Sequence, residues 1–404
     1  MANEIGSGWE AKCAMIKEAA WGDVLAVTKV LPLLKESYNH EIEQLPDEVC
    51  RGHAGAGEAL DGNTKASITP VFNLTYEDLD ILLALGMGSS GAPSLNTGVY
   101  YDNALTLLNK LPITSSCVLA LHKDVSVWEY IGCVVNSFKI SGSANNPLEI
   151  EFELPAESLS LSSVTNTLAV LAALSVVDLA PKIMMSDLEF KIAAQTDALS
   201  GETALGIDTF EFICNNNLAI DQFDNRATTR LQPLRAGDRE VLFNFTVPRY
   251  EANTYAAWAI AKTRLHAYLK FTSGSYIFDI HIPNLKLKPV QVPIEGKGLL
   301  SQKVEAVCNR DAPLGARATT TFIYTPWAAT TANVVGDVVV PLAAECGQRF
   351  KCTTAGTTGG TEPTWILTAN GTTTDGTVTW TEDGTVDNEF EIALVNKRTA
   401  TPLT

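Results

Sequence analysis

WEYIGCVVNSFKISGSANNPLEIEFEL, which spans residues 128–154, is the stretch that decides the fold class. In its second half, apolar side chains alternate strictly with glutamates: Leu148, Ile150, Phe152 and Leu154 alternate with Glu149, Glu151 and Glu153. Its first half alternates more loosely, and a turn-forming Ser-Gly-Ser-Ala-Asn-Asn-Pro separates the two. Because successive side chains of a strand point to opposite faces, this pattern predicts a β-hairpin. The apolar face suits a core. The other face carries three like charges, which predicts a sheet surface that faces water.

The bulk composition limits the function classes. The chain has 404 residues, enough for two or three domains, and a formal net charge of −17. This acidity argues against nucleic acid held by phosphate neutralisation, although DNA could still slide past such a surface. The sequence contains no apolar run of membrane-spanning length, and its N-terminus lacks the profile of a signal peptide. We therefore expect a soluble product made in a cytoplasm.

The eight cysteines are scattered and include no CxxC pair. Most are expected to be small buried side chains. Cys346 and Cys352 form the only close pair, and a bridge across a small hairpin is one reading of it. The lack of a nearby His or second Cys pair argues against a metal site.

Helical patterns are few. Residues 75–86 have the clearest one, in which Thr75 and Asp78 show capping-box spacing and Gly86 is placed to end the helix. A second helix is predicted over residues 253–262 and a short one over 10–20. Most other segments alternate as strands, so the sequence predicts a mainly β protein with flanking helices.

The two halves of the chain repeat one order of elements. Residues 134–142 resemble 281–289, with Asn136 matching Asn284, and LEIEFEL (148–154) matches QKVEAVC (302–308). A predicted helix precedes each hairpin. The repeat predicts a tandem duplication, with one domain over 1–180 and a second over 181–318 and 386–404. In the second copy, the strand that matches the glutamate row carries Lys303 and Glu305.

Residues 319–385 differ in composition. They are rich in Thr, with short β patterns, and contain Trp327, Trp365 and Trp380. They predict a small separate β module. The module is inserted, because residues 387–397 resume the alternating pattern and are predicted to pair with 302–309. The tryptophans suit either the core of so small a module or stacking on sugars, and both readings stay open.

The sequence holds no recognisable catalytic constellation. Its five histidines are dispersed, and HExxH, GxSxG and dinucleotide-binding patterns are absent. Alternate residues of one strand lie about 6.5–7 Å apart. Glu149, Glu151 and Glu153 are therefore a row rather than a pair opposed across a substrate. We expect no enzyme activity and no cofactor.

Several segments resemble the tail tube proteins of siphophages. The opening Met-Ile-Lys-Glu-Ala-Ala-Trp-Gly (15–22) and Leu-Pro-Leu-Leu-Lys-Glu-Ser (31–37) resemble the start of that family. The strand and helix over 68–86 and the two arms of the hairpin also resemble it. The resemblance covers about residues 12–310 and 387–397.

The resemblance implies β-sandwich or barrel domains, each with a flanking helix, whose hairpins join those of neighbours into one barrel. Family members form stacked hexameric rings through which genomic DNA leaves the capsid. A duplicated chain would close the same pseudo-sixfold ring as a homotrimer. Implied partners are the tape measure, tail terminator and distal tail proteins, in a virion assembled in the host cytoplasm. The residues implied to face the lumen are Glu149, Glu151, Glu153, Lys303 and Glu305.

The inserted region resembles a small domain of tail and fibre proteins that is similar to chitin-type carbohydrate-binding modules. That resemblance implies contact of Trp327, Trp365 and Trp380 with cell-surface glycans. The alternative function is a glycan-binding adhesin or fibre-base protein that presents this module. A more distant alternative is another virion shell part, such as a head decoration protein.

Overall fold

A computed structural model gives the chain a mainly β fold, as predicted. It describes residues 11–46, 59–90, 93–108, 111, 114–175, 181–195, 197, 199, 202–225, 227–290, 292, 300–310, 325–341, 348–366, 371–385, 389–401 and 403. Among these residues, no helix has the length and apolar character needed to cross a membrane.

The first half contains twelve described strands and two helices. They are β1 Lys12–Lys17, β2 Lys29–Leu31, β3 Leu33–Leu45, β4 Leu60–Asn73, α1 Asp80–Met87, β5 Gly88–Ser90, β6 Ser94–Thr97, β7 Tyr100–Leu107, β8 Cys117–His122, β9 Val127–Cys133, β10 Ser137–Ser143, β11 Glu149–Ala156, β12 Ser158–Ser160 and α2 Leu168–Ala173.

The rest of the chain is also mainly β-strands. Its described elements are β13 Leu188–Ala194, β14 Thr209–Asn215, β15 Glu240–Val247, α3 Thr254–Ala261, β16 Leu265–Ser273, β17 Tyr276–Leu287 and β18 Gln302–Cys308, then β19 Thr325–Pro326, β20 Ala332–Asn333, β21 Val338–Val340, β22 Gln348–Thr354, β23 Gly356–Thr357, β24 Thr372–Asp375, β25 Val378–Thr385 and β26 Glu391–Asn396.

The predicted hairpin is confirmed as β10 and β11, which pair antiparallel with Phe138 opposite Phe152 and Ile140 opposite Ile150. Asn145, in the connecting turn, adopts a left-handed backbone with φ of 64°. Asn tolerates this conformation better than most residues, which explains its place in the turn.

Eight strands form one continuous sheet that spans both halves, in the order β3-β4-β11-β10-β14-β15-β18-β17. Every neighbouring pair is antiparallel. We call these eight strands the continuous sheet. Its two halves join where β10 pairs with β14 over seven residues on each strand, and we call this contact the junction.

A second layer covers each half of the continuous sheet. In the first half its strand order is β12-β9-β8-β1, and in the second half it is β26-β17-β16-β13. β17 belongs to both layers, because its C-terminal residues pair with β18 and its N-terminal residues pair with β26. We call these the outer strands. Apolar side chains from the two layers form one core, shown for instance by the contacts of Phe190 on β13 with Phe243 and Phe245 on β15.

The predicted helix at residues 10–20 is wrong, because the described part of this segment contains strand β1 and no helix. β1 pairs with β2 on one edge and β8 on the other. Tertiary pairing on both edges outweighs a weak local helical pattern.

The predicted helix at residues 75–86 is displaced. The Asp78 backbone N–H does donate to Thr75 Oγ1, at 3.2 Å, as in a capping box. However, Thr75 is held in a β-bridge to Lys182, so the helix begins only at Asp80. It ends at Met87, and its left-handed cap is Gly88, with φ of 93°, instead of Gly86. The helix predicted over 253–262 is confirmed as α3, flanked by Asn253 and Lys262 as its caps.

The predicted pairing of residues 387–397 with 302–309 is also wrong. β26, which lies in this segment, pairs with β17 on one side and with β7 of the first half on the other. β18 offers it no edge, because its two edges are occupied by β15 and β17.

The Thr- and Trp-rich region forms two small sheets of its own. One has the order β19-β21-β22-β25-β24 and the other pairs β20 with β23. Its core contains Val339, Phe350, Cys352, Val378 and Trp380, with Trp365 packed against them. This core is separate from the main one.

Candidate functional site

The predicted glutamate row lies on the polar face of the continuous sheet. Glu149, Glu151 and Glu153 are partly exposed, while the residues between them are buried. Glu153 accepts hydrogen bonds from Asn136 Nδ2 at 2.9 Å and from Ser137 Oγ at 2.8 Å. The row therefore projects away from the core, as the alternation predicts.

The structure adds two charged residues that the sequence reasoning missed. Lys139 Nζ lies 3.7 Å from Glu151 Oε2 and 3.8 Å from Glu211 Oε1, so it forms a bridge between carboxylates on either side of β10. Glu211 belongs to the other half of the chain. The alternation of TFEFICN (209–215) indicates that Glu211 is a polar-face residue, but the pairing of β14 with β10 cannot be read from it.

Lys303 and Glu305 lie on the same polar face in the second half. Lys303 Nζ is 3.0 Å from Glu305 Oε1, and this hydrogen bond lowers the pKa of the Glu305 carboxyl. Glu305 is opposite Asn244 and Asn244 is opposite Glu211, so the acids of both halves share one row across the sheet. The five residues predicted to line a lumen thus share a face.

The junction is closed by Asn216, which follows β14 and is completely buried. Its Nδ2 donates to the carbonyl oxygens of Gly86, at 2.9 Å, and Val135, at 3.2 Å. Its Oδ1 accepts from Arg235 Nη2 at 3.1 Å and Arg239 Nε at 3.3 Å. One amide thus connects α1 and the segment just before β10 in the first half to the second half.

We expect Asn216→Ala to lower the free energy of unfolding by about 2–3 kcal/mol, because it leaves buried carbonyls without a donor. Urea denaturation measures the change. The control is Asn96→Ala, which removes an exposed hydrogen bond to Asp102 and should change stability by less than about 0.5 kcal/mol. Equal losses in the two variants would contradict a bridging role for Asn216.

The two ends of the continuous sheet differ from its middle. Within the described residues β3 pairs only with β4, so its other edge carries no strand. At the opposite end, Lys286 and Leu287 of β17 pair with β18 alone. The outer part of β3 also exposes apolar side chains, with Leu34, Tyr38 and Ile42 each about half exposed. Unpaired edges of this kind are ready to accept another strand.

The predicted glycan-contacting tryptophans occupy different environments. Trp327 and Trp380 are buried, and both indole N–H groups donate to Asp375 Oδ2, at 2.6 and 3.1 Å. Trp365 stacks on Phe350 with ring centroids 4.2 Å apart and keeps part of its surface exposed. Stacking on a sugar requires an exposed ring, so glycan contact stays a prediction that rests on Trp365.

The bridge between Cys346 and Cys352 stays a prediction. Cys352 is a free, buried thiol, and burial raises its pKa. Cys346 lies outside the described residues.

A buried ion pair connects the small module to the outer strands. Arg349 Nη1 on β22 lies 3.2 Å from Glu391 Oε1 on β26, and both side chains are almost fully buried. The neighbouring Ile392 points into the main core, so Glu391 points away from it. The module therefore contacts the face of the outer strands that is remote from the continuous sheet.

The described residues bring together no group of three His, Cys, Asp or Glu side chains that would hold a metal ion. The carboxylates on the polar face are a row with lysines between them. This arrangement presents charge along a surface and does not enclose a substrate.

Comparison with known proteins identifies the family. No curated protein matches the chain. The model of the family described as phage tail tube protein matches residues 8–308. The match includes every strand of the continuous sheet and ends where β18 ends, before the small module. It covers well over half of the chain, and the family is structural rather than enzymatic. The chain therefore belongs to the phage tail tube protein family, whose members are virion components that assemble with themselves and with other tail components into a tube.

Proposed function

We propose that this protein is the major tail tube subunit of a phage with a long non-contractile tail, and that three chains close each ring. The junction carries this proposal. It joins two similar half-sheets edge to edge within one chain, and the same contact repeated between chains would continue the sheet into a barrel. Stacked rings then form the conduit through which DNA passes into the host.

The recurrence of elements supports two tube domains per chain, over 1–180 and over 181–318 with 386–404. β1 pairs with β8 as β13 pairs with β16. α1 and α3 each contain eight residues and begin seven residues after the end of the matching strand, β4 or β15. With two tube domains in each chain, a ring of three chains contains six tube domains and is equivalent to a sixfold ring.

The free edges support ring closure. β3 lies at one end of the continuous sheet and the C-terminal end of β17 at the other, so a head-to-tail contact between copies would pair them. Such heterologous contacts close into a ring when the rotation between copies fits. Closure removes both open edges, which would otherwise promote aggregation.

The charge of the polar face supports its position in the lumen. Glu149, Glu151 and Glu153, with Lys303 and Glu305, would line the bore. The carboxylates on this face repel phosphate. Lys139 and Lys303 are each ion-paired with a glutamate and so are not free to hold DNA. Genomic DNA would pass without specific binding.

The module at 319–385 is proposed as a decoration on the outer wall. The support is the Arg349–Glu391 contact on the face remote from the polar face. A second function, binding of cell-surface glycans, is favoured by the exposed part of Trp365 alone.

The test of the proposed function is the mass of the purified protein in solution. We expect complexes of three chains, and tubes built from them, with an accompanying monomer only at low concentration. A protein that is strictly monomeric at every concentration would overturn the ring proposal and favour the adhesin alternative. Assembly partners, including the tape measure, terminator and distal tail proteins, can then be sought in the host cytoplasm by co-purification.

The lumen assignment predicts a change in DNA binding. Tubes with Glu149→Lys and Glu151→Lys should retain linear double-stranded DNA at low salt, by at least about tenfold over wild-type tubes, because lysines inside the bore contact phosphates. Co-sedimentation at low and high salt measures this. The control, Glu202→Lys with Glu251→Lys, changes the net charge equally at exposed acids away from the sheet. Equal DNA retention by the two pairs would contradict the lumen assignment.

A further inference from the structure

The two matching helices differ sharply in burial. α1 buries seven of its eight residues, whereas α3 buries none. The helices have the same length, follow matching strands, and end in a left-handed residue, Gly88 or Lys262. We therefore attribute the difference in burial to the residues that pack over each helix.

α1 and the turn before it are covered by residues of the second half. Asn216 Nδ2 donates to the carbonyl of Gly86 at the end of the helix. Asn396 Nδ2 donates to the carbonyl of Tyr76 at 2.9 Å, and Arg398 is ion-paired with Asp80. Part of this coverage comes from across the junction, so it depends on having a second tube domain beside the first, while β5 and β7 of the first half also contact the helix.

α3 has the opposite situation. Its sequence, TYAAWAIA, contains no charged residue. Tyr255 and Trp258 pack against the core, but Ala257, Ile260 and Ala261 face solvent, and Ile260 is 84% exposed. A helix that is apolar all round is normally covered on both sides. This exposed face therefore lacks the cover that α1 has.

The chain has a matching apolar surface at its other end. β3 lies beside β4 as β14 lies beside β15, so β3 is the counterpart of the strand that precedes Asn216. Tyr38 is opposite Ile68, a core residue, and so lies on the core side of the sheet, where the helices also lie. Leu34, Tyr38 and Ile42 are exposed apolar side chains of this segment, with Glu36 and His40 between them, and we call the three the apolar stripe. The Tyr38 ring also packs edge-to-face on Trp128.

We propose that the apolar stripe of β3 from a second copy of this chain packs on the exposed face of α3. The inference rests on the proposed ring. It adds that the contact between chains has an apolar helix-to-strand component in addition to strand pairing. One copy thus supplies to α3 the cover that the second half supplies to α1 within the chain, and the head-to-tail arrangement makes the two surfaces meet once at each chain boundary.

Ile260→Asp tests the apolar component without touching the core. We expect the concentration needed for half-assembly to rise at least about tenfold, since a charge replaces a central apolar contact. The control is Val335→Asp, at a comparably exposed valine in a turn of the small module. Circular dichroism and thermal unfolding of the unassembled chain verify that both variants fold. Unchanged assembly of Ile260→Asp would overturn the proposal.

Cross-linking gives an independent measurement. In a background with Cys50→Ser and Cys346→Ser, the double variant Tyr38→Cys with Ile260→Cys is treated with a short flexible bismaleimide. We expect covalent species of two and three chains, absent from each single variant, because the remaining cysteines are buried. Rings that form normally yet give no such species would overturn the proposal and leave the ring intact. Wild-type protein that forms no rings would instead overturn the proposed function, and this inference with it.

Discussion

Phe138→Ala should destabilise the protein by about 3–5 kcal/mol, because it empties a central site of the core. Phe138 is almost fully buried on β10, at the junction. Its ring centroid lies 6.1 Å from that of Phe152, 6.4 Å from that of Phe212 and 6.1 Å from that of Phe390, so it contacts aromatic rings from both halves of the chain. Neither half can close over the cavity alone.

Urea denaturation of the unassembled chain measures this effect. Leu161→Ala, at a half-exposed leucine, is the surface control and should change stability by less than about 0.5 kcal/mol. Phe350→Ala is the second control, because it removes a core ring from the small module without touching the main core. A loss below about 1 kcal/mol for Phe138→Ala would mean that the two halves do not share one core at this point.

At pH 9, where Glu391 is ionised, Arg349→Met should cost about 3 kcal/mol, because it leaves the Glu391 carboxylate buried without this cation. Burial raises the pKa of Glu391 to about 8, far above the value of about 4.3 in an unfolded chain. That value applies with Arg349 in place, and removing this cation raises the pKa of Glu391 further, so the folded variant binds a proton more tightly than the unfolded chain does. The stability contributed by this proton is fully present below about pH 4 and is lost as the pH rises through and beyond about 8.

The measurement is the thermal midpoint of Arg349→Met between pH 5 and pH 9, relative to wild type. The buried His281 is opposite Glu391 on β17, so a control must keep it. The double variant Arg349→Met with Glu391→Gln does so, and it should recover stability at pH 9 and remove the variant's extra pH dependence. A midpoint for Arg349→Met that rises with pH would contradict this account.

Local alternation predicted the hairpin and the outward direction of its glutamates, because the period-two pattern of a half-buried strand is written in adjacent residues. The position of β26 between β17 and β7 could not be predicted in this way. Residues 391–396 alternate like any edge or central strand, and their partners are decided by which edges remain open after the other strands have paired.

The candidate site also contains some residues that the sequence predicts and others that it does not. Alternation assigned Glu149, Glu151 and Glu153 to a polar face, the match between the two halves added Lys303 and Glu305, and the five share one face. Glu211 and Lys139 were not recognised as part of this polar face. The ion pair between them depends on the register of β10 against β14, which the tertiary fold sets. The tryptophans show a further limit: composition identified the aromatic residues of the module, but the hydrogen bonds that Trp327 and Trp380 donate to Asp375 depend on the tertiary fold.

The most direct test of the central claim is cryo-electron microscopy of assembled tubes at a resolution that separates strands. The account predicts three chains in each ring, six similar lobes, one uninterrupted barrel wall, and Glu149, Glu151 and Glu153 on the side facing the lumen. A ring of six chains, or a wall with these glutamates on its outer surface, would contradict it.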